Sequence, residues 1–355
     1  MNSDFVHKGC AKYEKMNKTL KQVLAVALAM GLLLYALRGM PLASLLDQLR
    51  QAAPAWIALT TLTMGLQTVL RALRWRMLLQ GLGHRPSTGR ALSAMLAGSA
   101  SGLVIPGSGE LLRCTLLQRS DNVPITESVG SIITERLVDL LATAVFLTLT
   151  LLLESGRLLT YARTYLEPPA WVLSLSAGQW IGGGIAGLIM LAVTYLGLRN
   201  LLDRGLGARL NSRLRLRERF EGFRRGLLSI RRVGNPVLYW VITGTIHALS
   251  LVVLASLFMA LPSTAKLPAS ASLTTFALTS LGSLTIPTQA NIGSYHFLAS
   301  RGLMAYGVPL LTGTIWATFS HAVITLVNLL FSALGFVAAL RFLKKSTEPT
   351  PAEPA

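Results

Sequence analysis

Six apolar runs, at residues 20–37, 54–73, 125–153, 179–198, 236–261 and 310–340, are long enough to cross a bilayer as helices. A helical span needs about 20 residues. In hydrocarbon every backbone polar group must be paired inside its own segment, so runs of this kind fold as membrane helices. Composition agrees. The chain is 52% hydrophobic and 14% charged, whereas a soluble domain carries roughly a quarter charged residues. The expected fold is an all-α integral membrane protein of about six spanning helices. Two further segments, 91–117 and 269–300, are apolar but interrupted.

The formal net charge is +18. The excess lies between the apolar runs, so an anionic membrane surface is the expected partner and nucleic acid is not. Cys10 and Cys114 lie far apart and imply no disulfide framework. Cys114 reads as a small packing residue. A long basic lead precedes the first run, which is read as a retained helix rather than a cleaved leader. The expected organisation is a cytoplasmic tail over 1–18, a polytopic membrane domain over 19–345 and a Pro-rich disordered tail over 346–355.

The positive-inside rule orients the runs. Lys8, Lys12, Lys15, Lys18 and Lys21 place the N-terminus in the cytoplasm. Arg71, Arg74, Arg76, Arg85 and Arg90 place the second connection there too. The stretch 154–178 balances Arg157 and Arg163 against Glu154 and Glu167 and suits the outside. The arginine-rich stretch 199–232 must be cytoplasmic, and Arg341, Lys344 and Lys345 put the C-terminus inside. These assignments agree only if 91–117 enters and leaves on one face. It is therefore expected to be a re-entrant hairpin with its tip at 105–109. By the same count 269–300 is a hairpin entering from the outer face, with its tip near 286–293. Within 200–233 the spacing of Leu206, Leu210, Leu214, Phe220, Phe223, Leu227 and Ile230 reads as a basic amphipathic helix on the inner leaflet. The competing reading is a solvated basic loop.

The two interrupted segments share a pattern. "LAGSASGLVIPGSGELLR" and "ALTSLGSLTIPTQANIGSYHFLASR" each run through small residues to Ile-Pro, then a Gly-containing break, then a polar residue opening a new helix. Small residues let backbones approach closely. Pro106 and Pro287 stop the first arm, and Gly107, Gly109 and Gly293 allow the reversal. Three spans lie between the hairpins, an odd number, which makes them an inverted repeat. Broken helices meeting near the midplane are a transporter design. Their second arms would aim helix N-termini at the membrane centre, where an anionic group such as a phosphate is favoured. Re-entry for structural reasons alone is the competing reading.

Charges inside the membrane are costly and functional by default. Glu110 and Arg113 lie one turn apart and can face one cavity. "TERLVDLL" adds Glu135, Arg136 and Asp139. Glu135 and Asp139 share a helix face and would repel unless an arginine or a proton intervenes, with Arg113 and Arg136 the natural candidates. A closed salt-bridge clasp is the plainer alternative. In the second hairpin Gln289, Asn291, Tyr295 and His296 are the polar members. His296 either titrates near neutral pH or serves as a hydrogen-bonded helix-start residue. His247 and His321 read as satisfied core residues. No residue spacing resembles a metal site, and no cofactor is implied. In "RALRWRMLL", Arg71 and Arg76 read as snorkelling helix-end arginines and Trp75 as an interface anchor. Arg74 is balanced between that and a site role.

"RALRW", "PGSGELLR", "TERLVDLLA" and "IPTQANIGSYHFLASRGLMAYGVP" together resemble the lysylphosphatidylglycerol synthase transmembrane-domain family, the flippase-like part of the multiple peptide resistance factor. The elements occur in the family's order from about residue 54 to the last span. The resemblance implies movement of a lipid or lipid-linked precursor between leaflets. It points at Arg74, Gly109, Glu110, Arg113, Glu135, Arg136, Asp139 and Gly293. The second hairpin departs from the pattern: a Pro-Gly-Gly-type turn followed by Glu is replaced by "TQANIGSYH", with His296 at the acidic position. The chain's end soon after the last span leaves no room for the family's aminoacyl-transferase domain, so a stand-alone form is expected.

The expected function is transport of an anionic lipid in the cytoplasmic membrane, with membrane lipids and their anionic head groups as partners and no enzymatic activity. Two other classes stay open. One is a non-transporting partner of a lipid-modifying enzyme. The other is a membrane-embedded transferase using a lipid carrier, although "GSGELL" lacks the last glycine of a dinucleotide loop and no complete catalytic constellation is visible.

Overall fold

The computed structural model describes residues 47, 50–104, 108–165, 178–179, 182–183, 214–285 and 291–346. The expected first span, the N-terminal and C-terminal tails, most of the 179–198 span and residues 200–213 lie outside them. So do Pro106, Gly107, Pro287 and Gln289.

The described elements are helical throughout. They are α1 (Pro54–Gly81), α2 (Thr88–Val104), α3 (Ser108–Asp121), α4 (Ile125–Tyr165), α5 (Leu214–Leu227), α6 (Pro236–Ala260), α7 (Ala269–Thr285), α8 (Ser294–Met304) and α9 (Leu310–Ser346). A 3-10 turn, Ser229–Arg232, joins α5 to α6. Local chemistry sets the ends. Pro54 and Pro236 open their helices where a missing N–H costs nothing. Asn235 caps α6 by accepting from the Leu238 N–H at 3.0 Å. Gly293 opens α8 at φ 87°, and Gly307, at φ 78°, lies beyond its end.

Three helices among the described residues are long and apolar enough to span a bilayer: Ile125–Tyr161, Pro236–Ala260 and Leu310–Ala339. The chain is thus an all-α membrane protein. The expected span at 54–73 is a helix of 28 residues, but its threonines, Gln67 and Arg71 dilute its hydropathy, and it is not among the three. The segment expected outside the membrane after residue 153 is helical at its start. Helix α4 continues to Tyr165, supported by an Arg157–Glu154 pair at 2.9 Å and by Arg157 lying 4.3 Å over the Tyr306 ring.

Each interrupted segment folds as two antiparallel helices. In the first, Arg90 pairs with Asp121 at 2.7 Å at the base, and Ser108 Oγ donates to the Ser101 carbonyl at 2.7 Å near the break. Between these, Gly98 lies against the backbone of Gly109 on the opposite arm, where an added Cβ would come within 2.5 Å of the Gly109 carbonyl oxygen. In the second, Gly282 meets Leu298, Gly302 meets Leu278 and the Thr274 and Tyr306 hydroxyls are 2.7 Å apart. The arms reach from 88 to 121 and from 269 to 304, a turn or so beyond the expected edges at 91, 117 and 300.

The order of helix, hairpin and long helix therefore occurs twice, as α1 to α4 and as α6 to α9. The two sets interlock reciprocally. Helices α1 and α6 run antiparallel. The Ala53 N–H bonds to the Ala260 carbonyl at 2.9 Å, the Thr60 and Ser256 hydroxyls are 2.7 Å apart, and Gln67 Nε2 donates to Ile246 O and Ser250 Oγ. Helix α4 packs on the first arm of the second hairpin through Phe146 against Phe276 and Thr150 against the Leu273 carbonyl. Helix α9 packs on the first arm of the first hairpin, with Gly335 against Leu96 and Ala97.

Among the described residues three apolar cores support this arrangement, the smallest around Leu78, Val138, Val233 and Tyr239. One stacks Phe258 on Trp316 at 4.3 Å beside Leu257, Leu261 and Leu303. Another surrounds Trp75 with Leu79, Ala91, Ala94, Leu117 and the buried free thiol of Cys114. The basic helix α5 approaches α4 closely at its glycines. Gly222 faces Thr126, and Gly226 lies against Glu127 and Gly130. Arg225 adds an ion pair to the buried Glu127 at 2.8 Å, and His84 Nε2 lies 2.7 Å from the same carboxylate.

A side chain at Gly335 or Gly226 would fall on packed backbone or on Leu96. Gly335→Ala and Gly226→Ala should each destabilise the chain in detergent by about 1–3 kcal/mol. Gly244→Ala, where the added carbon meets nothing within 4 Å, should not. Thermal unfolding followed by circular dichroism checks this.

Candidate functional site

Helix α1 carries Arg71, Arg74 and Trp75 at i, i+3 and i+4, so all three share one face. That face meets α4 at Glu135 and Asp139. Arg74 is fully buried, and its guanidinium lies between the two carboxylates. Nη2 donates to Glu135 Oε1 at 3.2 Å, and Nη1 lies 2.8 Å from Asp139 Oδ1, an ion pair outside hydrogen-bond alignment. Arg71 Nη1 approaches Asp139 Oδ2 at 3.7 Å, and His247 Nε2 stands 3.7 Å from Asp139 Oδ1. The repulsion between Glu135 and Asp139 is thus relieved by Arg74, which reaches both from another helix, together with the expected Arg113 on Glu135.

Arg113 and Arg136, the arginines expected between those carboxylates, bind across from α3 to α4. Arg113 Nη2 donates to Glu135 Oε2 at 3.0 Å, and Arg136 donates to Glu110. Arg136 follows Glu135 by one residue, so it points away from the Glu135–Asp139 face. Trp75 is fully buried and is no interface anchor. Its Nε1 donates to Ser131 Oγ at 3.1 Å, and Arg113 lies 4.7 Å over its ring. Arg71 does not snorkel either. Arg76 stays local, donating to the Pro86 carbonyl and the Thr88 hydroxyl.

These charges form one wall of a cavity of about 680 Å³. Arg71, Gly109, Glu110, Arg113, Glu135, Arg136 and Asp139 line it. The opposite wall comes from the second hairpin and α9, and includes Asn291, Tyr295, Thr279, His321 and Asn328. Arg74 sits behind the lining. The cavity therefore brings together most of the residues singled out from sequence, from both hairpins. It leaves out Gly293 and His296. His296 is buried, and its Nδ1 accepts from the Gly293 N–H at 3.4 Å, the helix-start role. Its ring lies 4.9 Å from that of His321, which lines the cavity in its place. Tyr295 holds its place through a 3.0 Å contact between its hydroxyl and Ser320 Oγ.

Arg71, His321, Gln67 and Asn328 were not legible as site members. The signal available for Arg71 was its spacing from Arg74 and Trp75. Nothing in one sequence marks Asn328, a single carboxamide among the hydroxyls of an apolar helix. Among the described residues no group of three or more His, Cys, Asp or Glu is arranged to hold a metal ion.

Removing Arg74 would leave the buried Glu135 and the half-buried Asp139, four residues apart, without their shared partner. Breaking a buried pair by one side costs about 3–5 kcal/mol. Arg74→Ala should lower detergent stability by that order, and Arg74→Lys should recover only part, since one ammonium cannot fork between two carboxylates. Arg76→Ala serves as the control. Equal melting temperatures for Arg74→Ala and Arg76→Ala would refute the clamp.

No curated protein and no solved structure matches the chain. Residues 22–332, which contain every hairpin and cavity residue described above, match the family described as Lysylphosphatidylglycerol synthase TM region. The chain belongs to that family of membrane domains associated with lipid handling.

Proposed function

We propose that the chain is a lipid transporter that moves an anionic phospholipid or lipid-linked precursor between the leaflets of the cytoplasmic membrane, without enzymatic activity. The hairpins re-enter from opposite faces as an inverted repeat, and both termini are cytoplasmic. The observation that carries this reading is the 680 Å³ cavity between the hairpins, with arginines on its wall. It lies within a body of membrane-spanning helices. The volume is within the range of ligand pockets, about 300–1,000 Å³.

The antiparallel pairing of α1 with α6 and the reciprocal packing of α4 and α9 support the inverted repeat. A two-fold axis in the membrane plane relates such halves and places the binding site near the midplane. The arginines support the anionic head group. Arg113 Nε is buried with no hydrogen-bond partner among the described residues, so a donor next to the cavity still lacks an acceptor. Arg113 and Arg136 hold the phosphate while the acyl chains stay in lipid. Glu110 holds Arg136 when no phosphate is present, and the exchange of partners accompanies loading.

The test is head-group translocation in proteoliposomes, scored by loss of a fluorescent phosphatidylglycerol from the outer leaflet. Wild type should move it, and Arg136→Gln should slow movement at least about tenfold, a difference of some 1.4 kcal/mol. Arg136 suits the test because its side chain is 63% exposed, so its loss need not unfold the chain. If wild type moved no anionic lipid, transport would be refuted. A co-purifying lipid-modifying enzyme would then favour the accessory role.

A further inference from the structure

The sequence holds no Asp or Glu from Gly222 through Thr347. That stretch contains the whole of α6 to α9. One wall of the cavity is therefore free of carboxylates by composition, whatever conformation its side chains take. It offers hydroxyls, carboxamides and an imidazole: Thr279, Ser280, Asn291, Tyr295, His321 and Asn328. Neither the Asn291 nor the Asn328 carboxamide has a hydrogen-bond partner among the described residues. Asn291 is held in the left-handed region at φ 59° at the edge of the second break, beside α8.

The facing wall has its charges almost balanced. The guanidiniums of Arg71, Arg113 and Arg136 on the wall, and of Arg74 directly behind it, meet the carboxylates of Glu110, Glu135 and Asp139, and each carboxylate is already paired. With histidines neutral, one positive charge is left over. A single phosphodiester cancels it. An ammonium group on the same ligand, reaching the neutral wall, would find no carboxylate there, because the Glu110 carboxylate that phosphate binding releases from Arg136 lies on the facing wall. Placing an unpaired ion in such a site is costly.

We infer that the cavity selects lipids whose head group, beyond one phosphodiester, is neutral and rich in hydroxyl or amide groups, such as glycerol or a sugar, and that it disfavours amine-bearing heads. The phosphate sits on the arginine wall, and the hydroxyls reach the carboxamides of Asn291 and Asn328. This rests on the transporter reading and names its substrate class. Sites built to hydrogen-bond a hydroxyl reject analogues that leave those groups unpaired.

The test is binding to the purified full-length chain, read as thermal stabilisation during titration with short-chain lipids. Phosphatidylglycerol and phosphatidylserine carry the same net charge and differ in the head group beyond the phosphate. Phosphatidylglycerol should bind at least about tenfold more tightly than phosphatidylserine or phosphatidylethanolamine. Asn328→Asp, which places a carboxylate in the neutral wall, should shift the preference toward phosphatidylethanolamine by about the same factor. Asn291→Ala provides a second variant and should weaken phosphatidylglycerol several-fold more than phosphatidylserine. Equal affinity for phosphatidylglycerol and phosphatidylserine, or a preference that neither variant shifts, would overturn the inference. The outcome is separable from transport. Selective binding without lipid movement would sink the transporter reading alone, and equal movement of both lipids would sink the head-group assignment alone.

Discussion

The guanidinium of Arg74 allows the rest of the site to exist. Glu135 and Asp139 stand on one face of a membrane helix, where two carboxylates would repel and each would be expensive to bury. A single planar fork from α1 reaches both. Once they are held, Glu135 has a second oxygen free to fix Arg113 at 3.0 Å, and Arg113 in turn rests on the buried ring of Trp75. The position of the first hairpin's second arm thus depends on an arginine that the cavity itself does not touch. Such pairs add little net stability. Their effect is to make one arrangement of α1, α3 and α4 much better satisfied than any neighbouring one.

Close packing without large apolar ridges is the second constraint. Hydrocarbon surrounding a helix provides no hydrophobic drive for helices to associate, so van der Waals contact between backbones must. Gly98 against Gly109, Gly335 against Leu96 and Gly226 against Gly130 put backbone against backbone or nearly so. Hydroxyl pairs such as Thr60 with Ser256 do the same work between α1 and α6. The helices facing outward keep large apolar residues there, as Leu153 at 68% and Val237 at 71% exposure illustrate, which is the expected surface for a chain solvated by lipid.

The class of fold was legible because spanning length and charge placement are one-dimensional properties. The breaks were legible for a similar reason: Ile-Pro interrupts a helix whatever its neighbours. Long-range partners were harder. Glu135 and Asp139 announced a need for an arginine, but the spacing pointed to Arg113 and Arg136, and the one that bridges them, Arg74, comes from 61 residues away in sequence. Arg71 and Trp75 looked like interface residues because they end an apolar run. Only the packing of α1 against α4 turns that end inward. The expected basic helix is described over 214–227, and it approaches α4 at Gly222 and Gly226, residues that hydrophobic periodicity ignores.

The charges of the site divide by exposure, and this division limits which of them can move. Arg74 and Glu135 are almost wholly removed from surroundings. Exchanging their partners would pass through an unpaired buried ion, at a cost comparable with the stability of a whole domain. The Glu110–Arg136 pair is different, with side chains 31% and 63% exposed. Exposed pairs contribute on the order of 0–1 kcal/mol, so a competing anion can displace one partner without that penalty. Glu110 also stands in the first turn of α3, three residues from the break. Any rearrangement of the hairpin tip therefore acts on the weakly held pair first, while the clamp around Arg74 keeps the base of the site in place. A binding site needs both properties, a fixed frame and an exchangeable contact, and here they reside on consecutive residues of one helix, Glu135 and Arg136.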